Sequence, residues 1–149
     1  SMDPKPRFMN RMNSSSQVSE RAMREIYLRG FEICVKEASP KAVMTSYNLL
    51  NGMHTSECAG LIRDILRCEW GFEGIVMTDW VVAIAALGKH KHRGADAKYV
   101  AAAGGDLYMP GSRADVRSIL DGLKNGVLTR KQLAENASRV IKTAWDLNS

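Results

Sequence analysis

The sequence predicts an α/β chain built on a short parallel sheet, and three observations carry that prediction. Short apolar runs of β character at 41–46, 75–78 and 106–109 alternate with longer stretches of helical periodicity. That alternation implies βαβ units, whose strands run parallel. About three strands are few for a parallel sheet that needs helices on both faces, so the chain reads as part of a larger α/β body.

The elements follow in order. Residues 1–17 are polar, with Pro4, Pro6 and Ser14-Ser15-Ser16, and read as tag and loop, with Ser1-Met2-Asp3-Pro4 as a cloning remnant and start. The folded unit is expected over 18–149. Ser19 is a suitable N-cap for a helix whose stripe is Met23, Ile26, Tyr27, Gly30 and Cys34. Glu20 and Arg24, four apart, suit an ion pair along it. Pro40 ends this helix before the strand at 41–46. Asn48 to Gly52 is turn chemistry. Ser56 is the expected cap of a second helix with the stripe Cys58, Leu61, Ile62, Ile65 and Leu66, broken by Gly71 and Gly74 before the strand at 75–78. Short helices are expected at 81–87 and 95–103, either side of a basic loop at 88–94. After the third strand, Ser112 with Asp115 and Thr129 with Gln132 fit capping boxes for two further helices. Their stripes are Val116, Ile119, Leu120, Leu123, and Leu133, Ala137, Val140, Ile141, Ala144.

Bulk composition excludes several classes. Of the 149 residues, 45% are hydrophobic and 25% charged, which is globular rather than disordered. No apolar run is long enough to span a membrane. The formal charge of +5 is spread along helix faces without aromatic interleaving, so a nucleic-acid partner is not expected. Cys34, Cys58 and Cys68 form no CxxC pair and read as small buried hydrophobes in a reducing compartment, which gives a cytoplasmic expectation. His90 and His92 sit in Lys89-His90-Lys91-His92-Arg93, where cationic neighbours repel a divalent ion. No metal and no cofactor are expected.

The ends of the three strands carry the chemistry. The first runs out into Ser46-Tyr47-Asn48, followed by Asn51-Gly52. The second ends in Thr78-Asp79-Trp80. The third is preceded by Gly104-Gly105-Asp106 and followed by Met109-Pro110-Gly111. Functional groups of parallel α/β folds collect at the carboxyl ends of strands. A carboxylate at the tip of an apolar strand is costly unless something pairs with it, and an aromatic plane beside it suits a carbohydrate site. Taken alone, Asp79 reads as a strand-end cap and Tyr47 as a core tyrosine, while Trp80 suits simple packing as well as a sugar wall.

Several stretches together resemble glycoside hydrolase family 3, the β-glucosidase-like enzymes. They are Ser19-Glu20-Arg21-Ala22-Met23-Arg24-Glu25-Ile26-Tyr27-Leu28, Met44-Thr45-Ser46-Tyr47-Asn48 with Asn51-Gly52, and Leu66-Arg67 with Glu69-Trp70-Gly71-Phe72. Gly74-Ile75-Val76-Met77-Thr78-Asp79-Trp80 and Ala103-Gly104-Gly105-Asp106-Leu107 with Met109-Pro110-Gly111 complete the set, in the family's order. The resemblance implies a partial TIM-like (β/α) barrel, with this chain as the later part of the barrel domain, roughly its sixth to eighth strands. It implies a retaining hydrolase of terminal β-glycosidic bonds acting on a β-glucoside-type carbohydrate. Asp79 would be its nucleophile, and Tyr47 would stand beside it with a hydroxyl able to donate to the carboxylate. Trp80 would be an aromatic wall of the sugar site. The family's earlier sugar-holding residues and its acid/base carboxylate have no counterpart here, and Glu57 and Asp106 are the nearest carboxylates in chain order. Turnover is therefore expected of the intact enzyme and not of this chain alone. The alternative is a non-catalytic module that self-associates as a homo-oligomer to cover open sheet edges.

Overall fold

The computed structural model describes residues 14–82 and 92–148. The expected helix at 81–87 and the basic loop, His90 included, lie largely outside the described residues. The described chain is mixed α/β. It begins with β1 (Ser15–Ser16) and continues through two short helical pieces, Glu20–Ala22 and Met23–Tyr27, into α1 (Arg29–Ala38). Next come β2 (Ala42–Met44), β3 (Leu49–Leu50), β4 (Met53–His54), a single 3₁₀ turn at Thr55–Glu57 and α2 (Gly60–Glu69). Then follow β5 (Ile75–Met77), α3 (Ala97–Ala103), α4 (Arg113–Lys124) and α5 (Arg130–Asp146).

β2 and β5 pair in parallel, with Ala42, Val43 and Met44 opposite Ile75, Val76 and Met77. The third strand of the sequence reading is reduced to a parallel bridge between Met77 and Leu107. A second, smaller sheet was not foreseen. Ser15–Ser16, in the stretch read as loop, pair in parallel with β3, and β3 turns back on β4 through Asn51-Gly52. The polar serines did not signal a strand. Their pairing is set by a distant hairpin and by Asn51, whose side-chain amide bonds both backbone groups of Val18 at 2.9 Å.

The core lies between the sheet and its helices. Val35 of α1, Ile62 and Leu66 of α2, Phe72, Val76 and Ala103 form one buried cluster, with Val43 and Trp70 against it. Val82, Ala95 and Val100 form a second, under the carboxyl ends of the strands, with Tyr47 and Tyr108 packed on it.

Caps fall where side chains compete for helix N–H groups. Ser19, Asp96, Ser112 and Thr129 accept from Ala22, Lys98, Asp115 and Gln132, and Thr129–Gln132 closes a full capping box. Ser56 does not cap α2. It lies in the 3₁₀ turn, 1% exposed, and the helix starts four residues later. Two helical stretches close i→i+5 rings, as in Leu28 N–H to Met23 carbonyl (2.8 Å) and Trp70 N–H to Ile65 carbonyl (3.0 Å). That wider turn shifts which residues face inward. Ile26 and Tyr27 of the expected stripe are exposed, and Val35 is the buried residue of α1. α5 likewise buries Asn136 and Thr143 rather than Ala137 and Ile141, because the Asn136 amide reaches the Ala101 and Gly105 carbonyls at 2.9 and 3.0 Å. The cysteines correct another expectation. Cys34 and Cys68 are exposed and Cys58 half-buried, since each falls on a helix flank or turn turned from the core. No helix among the described residues is long and apolar enough to cross a membrane.

Candidate active site

The carboxyl ends of the strands are laced together by hydrogen bonds. Thr45 N–H donates to the Met77 carbonyl and Thr78 N–H to the Leu107 carbonyl, both at 2.9 Å. The Thr78 hydroxyl, 1% exposed, accepts from Met109 N–H at 2.9 Å. These bonds bring the segments after β2, after β5 and around Met109 to one edge of the sheet.

Asp79 and Tyr47 meet there. A cavity of about 230 Å³ is lined by Met44, Thr45, Ser46, Tyr47, Asn48 and Asp79. Asp79 is half-buried, and one of its carboxylate oxygens accepts from Trp80 N–H at 2.6 Å. The Tyr47 hydroxyl donates to the Trp80 carbonyl at 2.6 Å. Ser46 is fixed by Thr55, whose hydroxyl accepts from Ser46 N–H at 3.1 Å and donates to the Ser46 carbonyl at 3.0 Å. The Trp80 side chain is 49% exposed beside this opening. The arrangement offers an accessible carboxylate, small polar side chains and a half-open indole face.

The next residue is strained. Val81 has φ +59°, a left-handed conformation that costs a β-branched residue about 1–3 kcal/mol. Its N–H donates to the Met109 carbonyl at 3.0 Å, and Val82 is buried in the cluster below. Tyr108 supports the same cluster, donating to the Ala95 carbonyl at 2.8 Å. Burial pushes its hydroxyl up from the usual range, so it remains a neutral donor.

The two other carboxylates singled out from the sequence are already engaged. Glu57 is held by Arg93 through both oxygens and accepts from Asp96 N–H at 2.7 Å. That ion pair, more than burial opposes it, holds Arg93 above its ordinary range. The Asp106 side chain is fully buried between Arg67 (2.7 Å) and Arg139 (2.8 Å), and also accepts from Val76 N–H at 2.8 Å. Sequence reasoning missed this network and the Val81 strain. The Gly104-Gly105 pair before Asp106 was the available signal, since glycines mark a close approach of other groups. His54 bonds the Arg93 carbonyl at 2.7 Å. Among the described residues no group of three His, Cys, Asp or Glu side chains could hold a metal ion.

Comparison with known proteins defines the class. Residues 11–143 match the model of the glycosyl hydrolase family 3 N terminal domain, and the chain belongs to that family. It is 40% identical over 140 residues to beta-glucosidase B of Emericella nidulans, which covers 93% of this chain and 15% of that protein. An exo-alpha-(1->6)-L-arabinopyranosidase of Bifidobacterium longum is 40% identical over 132 residues, covering 89% of this chain and 16% of its own length. Beta-glucosidase 3B from Thermotoga neapolitana, solved in complex with alpha-D-glucose, superposes with a TM-score of 0.77 at 40% identity. That match covers 91% of this chain and 18% of the solved one. The chain thus spans about a sixth of the length of these relatives.

Proposed function

We propose that this chain carries the nucleophile segment of a retaining glycoside hydrolase that cleaves terminal β-glycosidic bonds, of β-glucosides first. Placement of Asp79 on one cavity with Ser46, Tyr47 and Asn48, at the carboxyl end of β5, carries the reading. The carboxylate attacks the anomeric carbon, the glycosidic C–O bond breaks, and a glycosyl ester forms on Asp79. Water then attacks the same carbon and releases the sugar with the free carboxylate. Trp80 packs its open indole face on the apolar face of the sugar ring. Family membership and relatives named as beta-glucosidases support this assignment. β2, β5 and the Leu107 edge correspond on this reading to the later strands of a TIM-like barrel.

Retention also needs a second carboxyl about 5–5.5 Å from the first, which protonates the leaving oxygen and then activates the water. Glu57 and Asp106 are held by arginines, so we assign that group to a part of the intact enzyme other than the described residues. The 149-residue chain alone is expected to show no turnover of aryl β-glycosides. Turnover by the isolated chain that disappears in Asp79→Asn would overturn this division of labour. For the nucleophile, a 2-deoxy-2-fluoro glycoside should trap the covalent intermediate in the intact enzyme. Peptide mapping should find the label on Asp79, and a label elsewhere rejects the assignment.

A second reading, a self-associating module without activity, is favoured by one observation. An apolar groove over β2, lined by Leu28, Phe31, Met44 and Trp70 among others, is open to solvent, with Phe31 58% and Met44 55% exposed. Sedimentation of the isolated chain at low concentration decides it, because a folded monomer rules this reading out.

A further inference from the structure

The peptide unit between Trp80 and Val81 is gripped at both polar ends. Its carbonyl accepts from the Tyr47 hydroxyl at 2.6 Å, and its N–H donates to the Met109 carbonyl at 3.0 Å. The two grips come from different neighbours: the segment after β2 and the segment after the Leu107 bridge. One residue further on, Val82 is 6% exposed and packed with Ala95 and Val100, so the chain cannot swing freely. A peptide plane fixed in front and a buried side chain behind leave Val81 only the left-handed φ of +59°. One residue back, Trp80 N–H holds the Asp79 carboxylate at 2.6 Å.

We infer that Tyr47 and Val81 are positioning residues: clamping of the Trp80–Val81 peptide plane by Tyr47 and Met109 aims the Asp79 carboxylate, and the strain at Val81 is the spring that the clamp holds. This inference rests on Asp79 being the nucleophile. It assigns Tyr47 an action through backbone, distinct from stabilising the carboxylate's charge by direct donation. When the Tyr47 hydroxyl is lost, a β-branched residue at positive φ drives the plane to rotate, and the turn bearing Asp79 moves with it. Glycine adopts that φ without strain, so glycine at 81 removes the drive and leaves the Met109 bond to hold the plane.

The two routes predict different double-mutant behaviour in the intact enzyme. Tyr47→Phe should lower kcat by about 10²-fold, with KM changed much less, because the nucleophile is misplaced rather than the sugar site. Val81→Gly alone should lower kcat by about threefold or less and raise Tm, since the strain is gone. Tyr47→Phe with Val81→Gly should recover about tenfold of the lost kcat. The acid limb of the kcat/KM–pH profile should stay in place in Tyr47→Phe. A double variant no faster than Tyr47→Phe overturns the clamp, as does an acid limb moved to higher pH, the signature of direct donation. Hydrogen exchange gives a readout free of substitution: the Val81 amide should be protected in the unaltered enzyme, and rapid exchange there also overturns the proposal. Mapping the fluoroglycoside label separates the two claims. Label on a residue other than Asp79 removes the nucleophile reading, whereas label on Asp79 without rescue removes only the clamp.

Discussion

Asp79 and Asp106 both flank strands of one sheet, and their surroundings are opposites. Asp106 has no solvent-exposed side-chain surface, two arginines and a backbone N–H. Asp79 is half-buried on an open cavity, beside a strained valine and a gripped peptide plane. A buried charge survives only when its partners replace water, and Asp106 has that replacement in full. A reactive carboxylate has to keep lone pairs for a substrate, which full pairing would deny it. The same residue type beside one strand, β5, is therefore a staple in one place and a candidate reagent in the other. Saturation of its hydrogen bonds, more than burial alone, tells them apart.

Substitutions should separate the two aspartates in kind. Asp79→Asn in the intact enzyme is expected to lower kcat on the order of 10⁴-fold, measured with aryl β-glucosides, while Tm stays close to the parent. A Tm loss as large as that of an Asp106 variant would erase the contrast. Asp106→Ala should do the reverse. Leaving Arg67 and Arg139 uncompensated costs about 3–5 kcal/mol in denaturant unfolding, and any folded fraction should keep an ordinary turnover per active site.

A smaller effect sharpens the structural side. A methyl group at Gly74 would collide with the Lys41 carbonyl, which accepts from Ile75 N–H, and with the ring of Phe72, a core residue. Gly74→Ala should therefore lower stability by about 1–3 kcal/mol, read by thermal unfolding. On the catalytic side, Trp80→Ala should raise KM about fivefold, through loss of about 1 kcal/mol of ring packing, with kcat less affected. Equal effects on kcat and KM would move Trp80 from the sugar wall to the positioning machinery.

The smallest effect is at the surface. Arg24 bonds Glu69 through its two terminal nitrogens at 2.6 and 2.9 Å and reaches Glu20 through Nε. The bond from Arg24 holds the Glu69 carboxyl below its usual value of 4.5. A depressed carboxyl contributes stability above the unfolded value, and that contribution fades as pH falls through the folded one. Arg24→Ala should thus lower Tm slightly near neutrality, and the gap to the parent should narrow as the pH drops below 4.5. A gap independent of pH would mean that packing, and not charge, joins these helices.

Much of this was legible in the chain. Ser19, Ser112 and Thr129 cap helices where the sequence put them, since a hydroxyl three residues ahead of a free N–H acts locally. Parallel pairing of β2 with β5 follows from apolar runs separated by a helix. Family membership was also readable, because short motifs keep their order along the chain. Other features needed distance to be closed. Ser15–Ser16 became a strand because β3 offered an edge, and Ser56 lost its capping role to a 3₁₀ turn. The i→i+5 turn at Met23–Tyr27 left Ile26 and Tyr27 exposed, and burial on the helix that follows falls to Val35.

By itself, then, the sequence determined the alternation of strands and helices, most caps, and the apolar run that ends in Asp79. These depend on groups a few residues apart, which local chemistry governs. Tertiary structure alone decided that Asp106 is a staple, that the Tyr47 hydroxyl meets the Trp80 carbonyl, and that Val81 is left-handed. Those outcomes hang on partners 33 residues apart for both Asp106–Arg139 and Tyr47–Trp80, and no local pattern encodes which of many polar groups will be brought within a bond's length.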